Sequence, residues 1–501
     1  MNSNNTLHSI LLAFALITLA TALVLYYIPL NKYFKEKKFD KFFLLKNKVF
    51  YIGSYVFLLI SLILFDAQFY TNVENVEYIN ETLKTSVDVL HYFMIYGGSI
   101  LVSVSTFSFV SLFIHYFYID NRKPIEKRKY FWTLIGLGVF TFVSAFIFIE
   151  GNAPYLRYPL ANRIYIGSSG LKLVTVNLGY NWSPLPTSDA WGFNIAFYAF
   201  CLLGGGVVVF LIDSYKMRIL YGERGLLTNV FLIGFPTGVV GCRLWYVIGN
   251  WERDGFNKNP AKIFAINDGG LAIMGASLAV VVCIIYLLIL KYKIKREPYT
   301  KMNYLEVIDI CVISILFAQA IGRWGNFFNN EVHGNYVSQA NWNWLPLFIK
   351  NNMHFSSAEL TGKASNLNDS IALLNSGKIF VPLFLVEGVI NTIGYFILEL
   401  GIRIGLKKVA YKNNKKGFRK VLYYLSCDGA CSGYYFVWYG ATRAILEPLR
   451  SSSFNMGMDN NWSYYSSFGM IGIGVLLIIF FAVWQYFRDH GKLIIKVKEE
   501  K

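Results

Sequence analysis

The sequence predicts an all-α integral membrane protein with about eleven transmembrane helices. Of its 501 residues, 55% are hydrophobic and only 15% are charged, whereas soluble proteins carry roughly a quarter charged residues. The mean hydropathy of +0.42 agrees with this imbalance. Apolar runs long enough for a helix of about 20 residues recur along the whole chain. Together these observations exclude a soluble globular protein.

Each predicted span is an apolar run close to the length that crosses the hydrocarbon core of a bilayer. In chain order the spans are Leu7–Leu30, Val49–Phe65, Tyr92–Tyr118, Tyr130–Ile149, Trp191–Ile212, Gly225–Gly249, Gly269–Leu290, Tyr304–Gly322, Ile379–Ile402, Gly433–Leu446 and Ser467–Phe487. The first run follows no basic residue and is too long for the core of a signal peptide, so we expect it to remain as a helix.

The net charge of +17 is explained by membrane topology. Of the 47 basic residues, 33 lie in alternate loops and in the tail, at 31–48, 119–129, 213–224, 291–303, 403–424 and 488–501. Loop 66–91, on the opposite side, is acidic. Because basic loops stay in the cytosol, the N-terminus is predicted outside and the C-terminus in the cytosol. No basic surface motif is interleaved with aromatic residues, so we expect no nucleic-acid partner.

Ionisable residues in or beside the spans mark candidate sites, because a charge in the membrane is costly. Arg323 follows the eighth span, and Arg243 lies near the outer end of the sixth. Tyr439, Arg443 and Glu447 share one face of the tenth span at i, i+4 and i+8. The predicted topology brings all of them to the outer leaflet.

Arginines at headgroup depth, with a carboxylate to hold one of them, can bind a lipid phosphate bidentately. Tyr198 is expected about two turns below the outer start of the fifth span. The alternative is that the arginines only snorkel to the interface, paired with Glu447 and Glu331.

Two motifs resemble those of the prolipoprotein diacylglyceryl transferase family. They are Gly322-Arg323-x-Gly325-Asn326-Phe327-x-Asn329-x-Glu331-x-x-Gly334 and Tyr439-Gly440-x-x-Arg443-x-x-x-Glu447-x-x-Arg450. Tyr198 and Arg243 are looser matches. The resemblance covers about 190–490 and implies a seven-helix transferase-like core. The expected domains are therefore a four-helix N-terminal membrane extension at 1–150, an outer loop at 151–190, the core at 191–490 with an outer segment at 323–378, and a basic cytosolic tail at 491–501.

The resemblance implies transfer of the diacylglyceryl group of phosphatidylglycerol to the lipobox cysteine of a prolipoprotein signal peptide, at the outer face of the bacterial plasma membrane. It implies no metal and no organic cofactor. It implies that Arg323 and Arg443 clamp the phosphate and that Glu331 and Glu447 hold these arginines. Asn326, Asn329 and Tyr439 would orient the headgroup. Further substrate contacts would come from Tyr198, Arg243 and Gly334.

The chain departs from the family pattern at two places. Met274 stands where the family has a histidine, and a second histidine-containing segment is reduced to Pro382 and Glu387. His333, at a variable position of the signature, is a candidate replacement base because imidazole titrates near neutral pH; otherwise it is a surface histidine. Met274 also motivates an alternative function, a non-catalytic paralogue that binds phospholipid or signal peptide. A transporter is disfavoured because no internal repeat is visible.

Overall fold

The computed structural model is built mainly of helices. The structure describes residues 3–36, 48–70, 89–116, 128–152, 163–167, 170–174, 192–222, 226–252, 255–264, 275, 277–294, 300–354, 377–411, 417–450 and 462–490. Met274 lies outside these residues.

The α-helices among these residues are α1 (Ser3–Glu36), α2 (Lys48–Tyr70), α3 (Val89–Ile114), α4 (Arg128–Asn152), α5 (Phe197–Tyr221), α6 (Leu226–Gly249), α7 (Ser277–Ile289), α8 (Tyr304–Phe328), α9 (Leu347–Asn352), α10 (Leu383–Phe396), α11 (Lys407–Tyr411), α12 (Phe418–Leu425), α13 (Ala430–Leu446) and α14 (Trp462–Asp489). Two π-helical segments extend them, Leu290–Ile294 after α7 and Ile397–Leu406 between α10 and α11. Three 3-10 segments are Pro260–Phe264, Gln339–Trp342 and Glu447–Leu449.

The strands form two small antiparallel sheets. Three of them are β1 (Arg163–Gly167), β2 (Gly170–Val174) and β3 (Gly192–Ala196), ordered β2-β1-β3. In that sheet Tyr165 of β1 lies opposite Lys172 of β2 and Asn194 of β3. The other two, β4 (Tyr336–Ser338) and β5 (Lys378–Phe380), pair with each other.

By internal packing the chain forms two compact units, one of 1–197 with 327–381 and one of 198–326 with 382–501. In the first unit α1 packs on α2 and α3 packs on α4. The hydroxyls of Ser54 and Ser61 on α2 donate to the carbonyl oxygens of Ala22 and Ala15 on α1, at 2.7 and 2.8 Å. Hydrogen bonds of this kind join helices in lipid, where apolar surfaces gain little by associating.

In the second unit α6 packs on α7, α13 packs on α14, and α10 contacts α13. The glycine-rich stretch of α5 allows close approach to α8, since a Cβ on Gly205 would lie 2.9 Å from the carbonyl oxygen of Ala318. Gly433 and Gly474 bring α13 and α14 together in the same way. Small residues thus set the helix spacing in this unit.

The structure confirms an all-α, multi-pass membrane protein. Eight helices in the described part of the chain are long and apolar enough to cross a bilayer, and each of the eleven predicted spans coincides with a helix. At the other three predicted spans the apolar helical stretch is shorter. These stretches are Val49–Ser61 of α2, the 13 residues of α7 and the 17 residues of α13. Eleven crossings and their sidedness stay predictions.

The starts of two predicted spans are wrong, and the eighth helix continues past its predicted end at Gly322 to Phe328, so that Arg323 lies within α8. The fifth span was expected from Trp191, but 192–196 form β3, whose backbone groups pair with β1, so α5 begins at Phe197. Tyr198 therefore lies in the first turn of α5, not two turns into it. The ninth was expected from Ile379, but β5 occupies 378–380 and α10 begins after Pro382, which has no N–H to donate in a preceding turn.

Candidate functional site

Arg323, near the end of α8, forms an ion pair with a carboxylate of another helix. Its Nη2 lies 2.5 Å from Oε1 of Glu387 on α10, and its Nη1 donates to Oδ1 of Asn326 at 3.3 Å. The side chain of Glu387 is only 3% exposed and that of Arg323 is 17% exposed. The guanidinium is thus held in a half-buried position by one charged and one neutral acceptor.

Arg443 on α13 shares the same carboxylate. Its Nη1 lies 3.8 Å from Oε2 of Glu387, and its Nη2 lies 2.7 Å from Oε2 of Glu447, one turn later on the helix. Arg450 approaches the other oxygen of Glu447 at 3.8 Å. We call these five residues the arginine cluster: Arg323, Arg443, Arg450, Glu387 and Glu447.

The arginine cluster carries a surplus of positive charge, because three guanidinium groups face two carboxylates. Burial and, after it, the neighbouring positive charge of Arg443 lower the pKa of Arg450 to about 10. A guanidinium with this pKa is still protonated at neutral pH. The arrangement is therefore suited to binding an anion with one or more oxygens, such as a phosphate.

Glu387 is the residue that the sequence analysis missed. It had been noted only as a remnant of a degenerate segment, and Glu331 was expected to hold an arginine. Arg323 forms its ion pair with Glu387, and Glu331 accepts a hydrogen bond from Nδ2 of Asn329 at 3.3 Å. The expected contact of Glu331 with an arginine stays a prediction. The available signal was the general rule that a carboxylate inside a predicted span needs a partner.

A polar layer lies one turn before Arg443 along α13. The rings of Tyr439 and Tyr435 are stacked with centroids 6.0 Å apart, and the hydroxyl of Tyr435 accepts a hydrogen bond from Nε2 of Gln319 on α8 at 3.1 Å. Asn391, one turn after Glu387 on α10, is fully buried. Tyr439 thus lies on the same helical face as Arg443, as the i, i+4 spacing predicts.

The ring of Tyr198 packs closely against Gly325 of the signature helix. A Cβ on Gly325 would lie 2.5 Å from Cδ2 of the Tyr198 ring. The absence of a side chain at Gly325 therefore allows the ring of α5 to contact the backbone of α8 beside Arg323. This close approach explains the glycine of the signature.

We predict that Gly325→Ala destabilises the protein by about 1–3 kcal/mol, because the added methyl group overpacks the contact with Tyr198. Thermal unfolding of the detergent-solubilised protein measures this. Gly322→Ala is the matched control on the same helix, since its Cβ would meet only Leu202 at 3.9 Å. Equal melting temperatures for the two variants would contradict the prediction.

Arg243, on α6, has partners of its own. Its Nε and Nη2 donate to the carbonyl oxygens of Ile263 and Lys262 at 2.9 and 2.6 Å, and the guanidinium lies over the rings of Tyr246 and Phe256. These contacts tie the 3-10 segment Pro260–Phe264 to α6. The assignment of Arg243 to substrate binding stays a prediction.

The remaining signature residues belong to the first unit. Glu331 lies between two residues with left-handed backbone, Asn330 with φ 51° and Val332 with φ 59°. A β-branched residue in this region is a true outlier, and such strain is often found at functional sites. The N–H of Gly334 donates to the carbonyl oxygen of Val381 at 3.0 Å, which joins the signature to the residue after β5.

His333 is not a surface histidine: it is 2% exposed, and its ring stacks on Phe380 with centroids 3.7 Å apart. Its Nδ1 lies 3.0 Å from the carbonyl oxygen of Gly334. A carbonyl oxygen only accepts, so Nδ1 carries the proton and Nε2 holds the lone pair in the neutral ring. Burial follows from the pairing of β4 with β5, which the sequence pattern did not reveal.

Among the residues that the structure describes, no group of three or more His, Cys, Asp or Glu side chains is arranged to hold a metal ion.

Comparison with known proteins gives consistent similarities. A family model described as prolipoprotein diacylglyceryl transferase matches residues 188–480. The chain is 30% identical over 286 residues to a protein named phosphatidylglycerol--prolipoprotein diacylglyceryl transferase from Lactococcus lactis subsp. lactis (strain IL1403), covering 57% of this chain and 90% of the relative. It is 30% identical over 291 residues to the protein of that name from Clostridium novyi (strain NT), covering 58% and 93%. Helices α1 to α4 precede the residues that the family model matches.

Proposed function

Because the chain belongs to the prolipoprotein diacylglyceryl transferase family, we propose that it transfers the diacylglyceryl group of phosphatidylglycerol to the thiol of a prolipoprotein's lipobox cysteine. The sulfur forms a thioether with the glyceryl carbon while the bond from that carbon to the phosphate oxygen breaks. Glycerol 1-phosphate leaves, and the thiol proton passes to a base. The distribution of basic loops supports the outer face of the bacterial plasma membrane as the place of reaction.

The observation that carries this proposal is the arginine cluster. Arg323 and Arg443 come from two different helices and share the carboxylate of Glu387. Each guanidinium has five N–H donors in a planar fork, so both can also donate to one phosphate. The surplus positive charge stabilises the charge that develops on the leaving phosphate.

The neighbouring residues have supporting roles in this proposal. Asn326, Asn329 and Tyr439 orient the headgroup, and Glu447 holds Arg443. Glu331 holds Asn329. The incoming thiol has an ordinary pKa of about 8.5, which neighbouring cations lower toward the thiolate form.

We also propose His333 as the base that accepts the thiol proton in place of the family's histidine. Its hydrogen bond to the Gly334 carbonyl favours the tautomer in which Nε2 is the acceptor, as a general base requires.

The His333→Ala and His333→Phe variants are both expected to slow transfer by about a hundredfold, because general-base catalysis contributes this much or more. Phenylalanine keeps the ring stack on Phe380 but has no nitrogen. The measurement is the pH profile of kcat/KM, in which the ionisation of the catalytic base should be visible for the wild-type protein and absent for both variants. A phenylalanine variant with wild-type kinetics would show that the ring only packs.

The transfer itself is tested with membranes containing the full-length protein, labelled phosphatidylglycerol and a lipobox peptide. Thioether-linked label on the peptide, absent when serine replaces the peptide cysteine, is the expected result. Bound lipid without product would instead indicate the non-catalytic paralogue that Met274 motivates. Movement of label across the membrane, with neither thioether product nor bound lipid, would indicate a transporter.

A further inference from the structure

Helix α4, which precedes the residues that the family model matches, makes a specific contact with the outer segment. The carboxylate of Glu150, in the last turn of α4, accepts hydrogen bonds from the first two N–H groups of α9. Oε1 lies 2.8 Å from the nitrogen of Leu347, and Oε2 lies 3.1 Å from that of Phe348. Both belong to the four N–H groups that a helix leaves without internal partners at its start. Pro346 precedes them and offers no side-chain cap.

An apolar contact accompanies this cap. Phe146, one turn before Glu150 on α4, packs edge-to-face on Phe348 with ring centroids 5.6 Å apart. Phe348 is 2% exposed and packs in the same way on Phe327, which is fully buried at the end of α8. The Glu150 cap is polar and the contact between Phe146 and Phe348 is apolar. Together these two neighbouring contacts form a docking surface between α4 and α9.

The contacts continue from α9 to the signature residues. Nδ2 of Asn352 donates to the carbonyl oxygen of Phe327 at 2.7 Å, and the N–H of Phe380 donates to the carbonyl oxygen of Met353 at 2.8 Å. Phe380 in turn stacks on His333. The segment that carries Asn329, Glu331 and His333 is therefore held on both sides by residues that contact α9.

We infer that Glu150 is a positioning residue, through which the N-terminal membrane extension holds the outer part of the transfer site in place. All the contacts that carry this inference lie within the first compact unit. The inference rests on the proposed function only in its kinetic consequence; the docking itself is a property of the fold. It gives α4, which precedes the residues that the family model matches, a role in holding the outer segment.

The test compares Glu150→Ala and Glu150→Gln with the wild-type full-length protein in nanodiscs. Amide hydrogen exchange at Leu347 and Phe348 should be about five- to tenfold faster in Glu150→Ala, because losing a helix cap costs about 1 kcal/mol or more. Glu150→Gln retains one acceptor oxygen, so its exchange should be intermediate. Glu252→Ala, which changes an exposed glutamate of the second unit, is the matched control.

The kinetic part separates positioning from folding. Glu150→Ala is expected to bind phosphatidylglycerol with wild-type stoichiometry and affinity, while its transfer rate falls about threefold to tenfold and is partly restored in Glu150→Gln. Unchanged exchange, or faster exchange with a wild-type rate, would overturn the inference. A loss of lipid-binding stoichiometry would overturn it in favour of a general folding role. If the wild-type protein formed no thioether, the proposed function would fail while the exchange result still decided the docking.

Discussion

Replacing Arg323 by alanine is expected to slow thioether formation by about a thousandfold, the largest effect among the substitutions considered, because a preorganised donor to a developing anion is worth this much. The change removes the half-buried cation nearest to Glu387 and Asn326. The arginine cluster would then hold two arginines and two carboxylates. No surplus positive charge would remain to stabilise the phosphate leaving group.

The measurement is single-turnover transfer from labelled phosphatidylglycerol to a lipobox peptide. Arg323→Lys should give an intermediate rate, because an ammonium keeps the charge but loses the planar fork that contacts two oxygens at once. Arg419→Ala on α12 is the control, since this arginine is exposed and belongs to neither site motif. A transfer rate in Arg323→Ala within tenfold of the wild type would mean that this arginine does not bind the leaving group.

Replacing Glu387 by alanine is expected to lower both stability and activity. Its buried carboxylate is the shared partner of Arg323 and Arg443. Removing one partner of a buried ion pair costs about 3–5 kcal/mol, because the opposite charge is left buried without compensation. Transfer should fall about a hundredfold or more, since the two guanidinium groups would repel each other and lose their common orientation.

A double-mutant cycle tests whether Glu387 acts through Arg323. The free energy of unfolding is measured for Arg323→Ala, Glu387→Ala and the double variant. Because the residues are in contact, the double variant should be less destabilised than the sum of the two single changes, by about 1–3 kcal/mol. Glu387→Gln, which keeps the volume of the side chain, separates lost charge from lost packing. Strict additivity would show that the two side chains are energetically independent.

The local features of this protein follow closely from its sequence. Each predicted span coincides with a helix, and the i, i+4 spacing of Arg443 and Glu447 does produce an ion pair on one helical face. Both predictions depend on periodicity within a single helix, which neighbouring helices do not change. The starts of α5 and α10 were misplaced because β3 and β5 pair with strands distant in the chain, and such pairing leaves no strong mark in an apolar run.

The sequence alone was sufficient to establish a multi-pass helical membrane protein, the motifs that resemble one transferase family, and the arginines around which a phosphate site is proposed. Three relations came only from the tertiary structure: the carboxylate of Glu387 between Arg323 and Arg443, the burial of His333 on Phe380, and the cap that Glu150 forms on α9. Each joins residues 47 or more positions apart along the chain. Composition and spacing determine which face of an element is polar, but the packing of elements determines which polar groups meet across it.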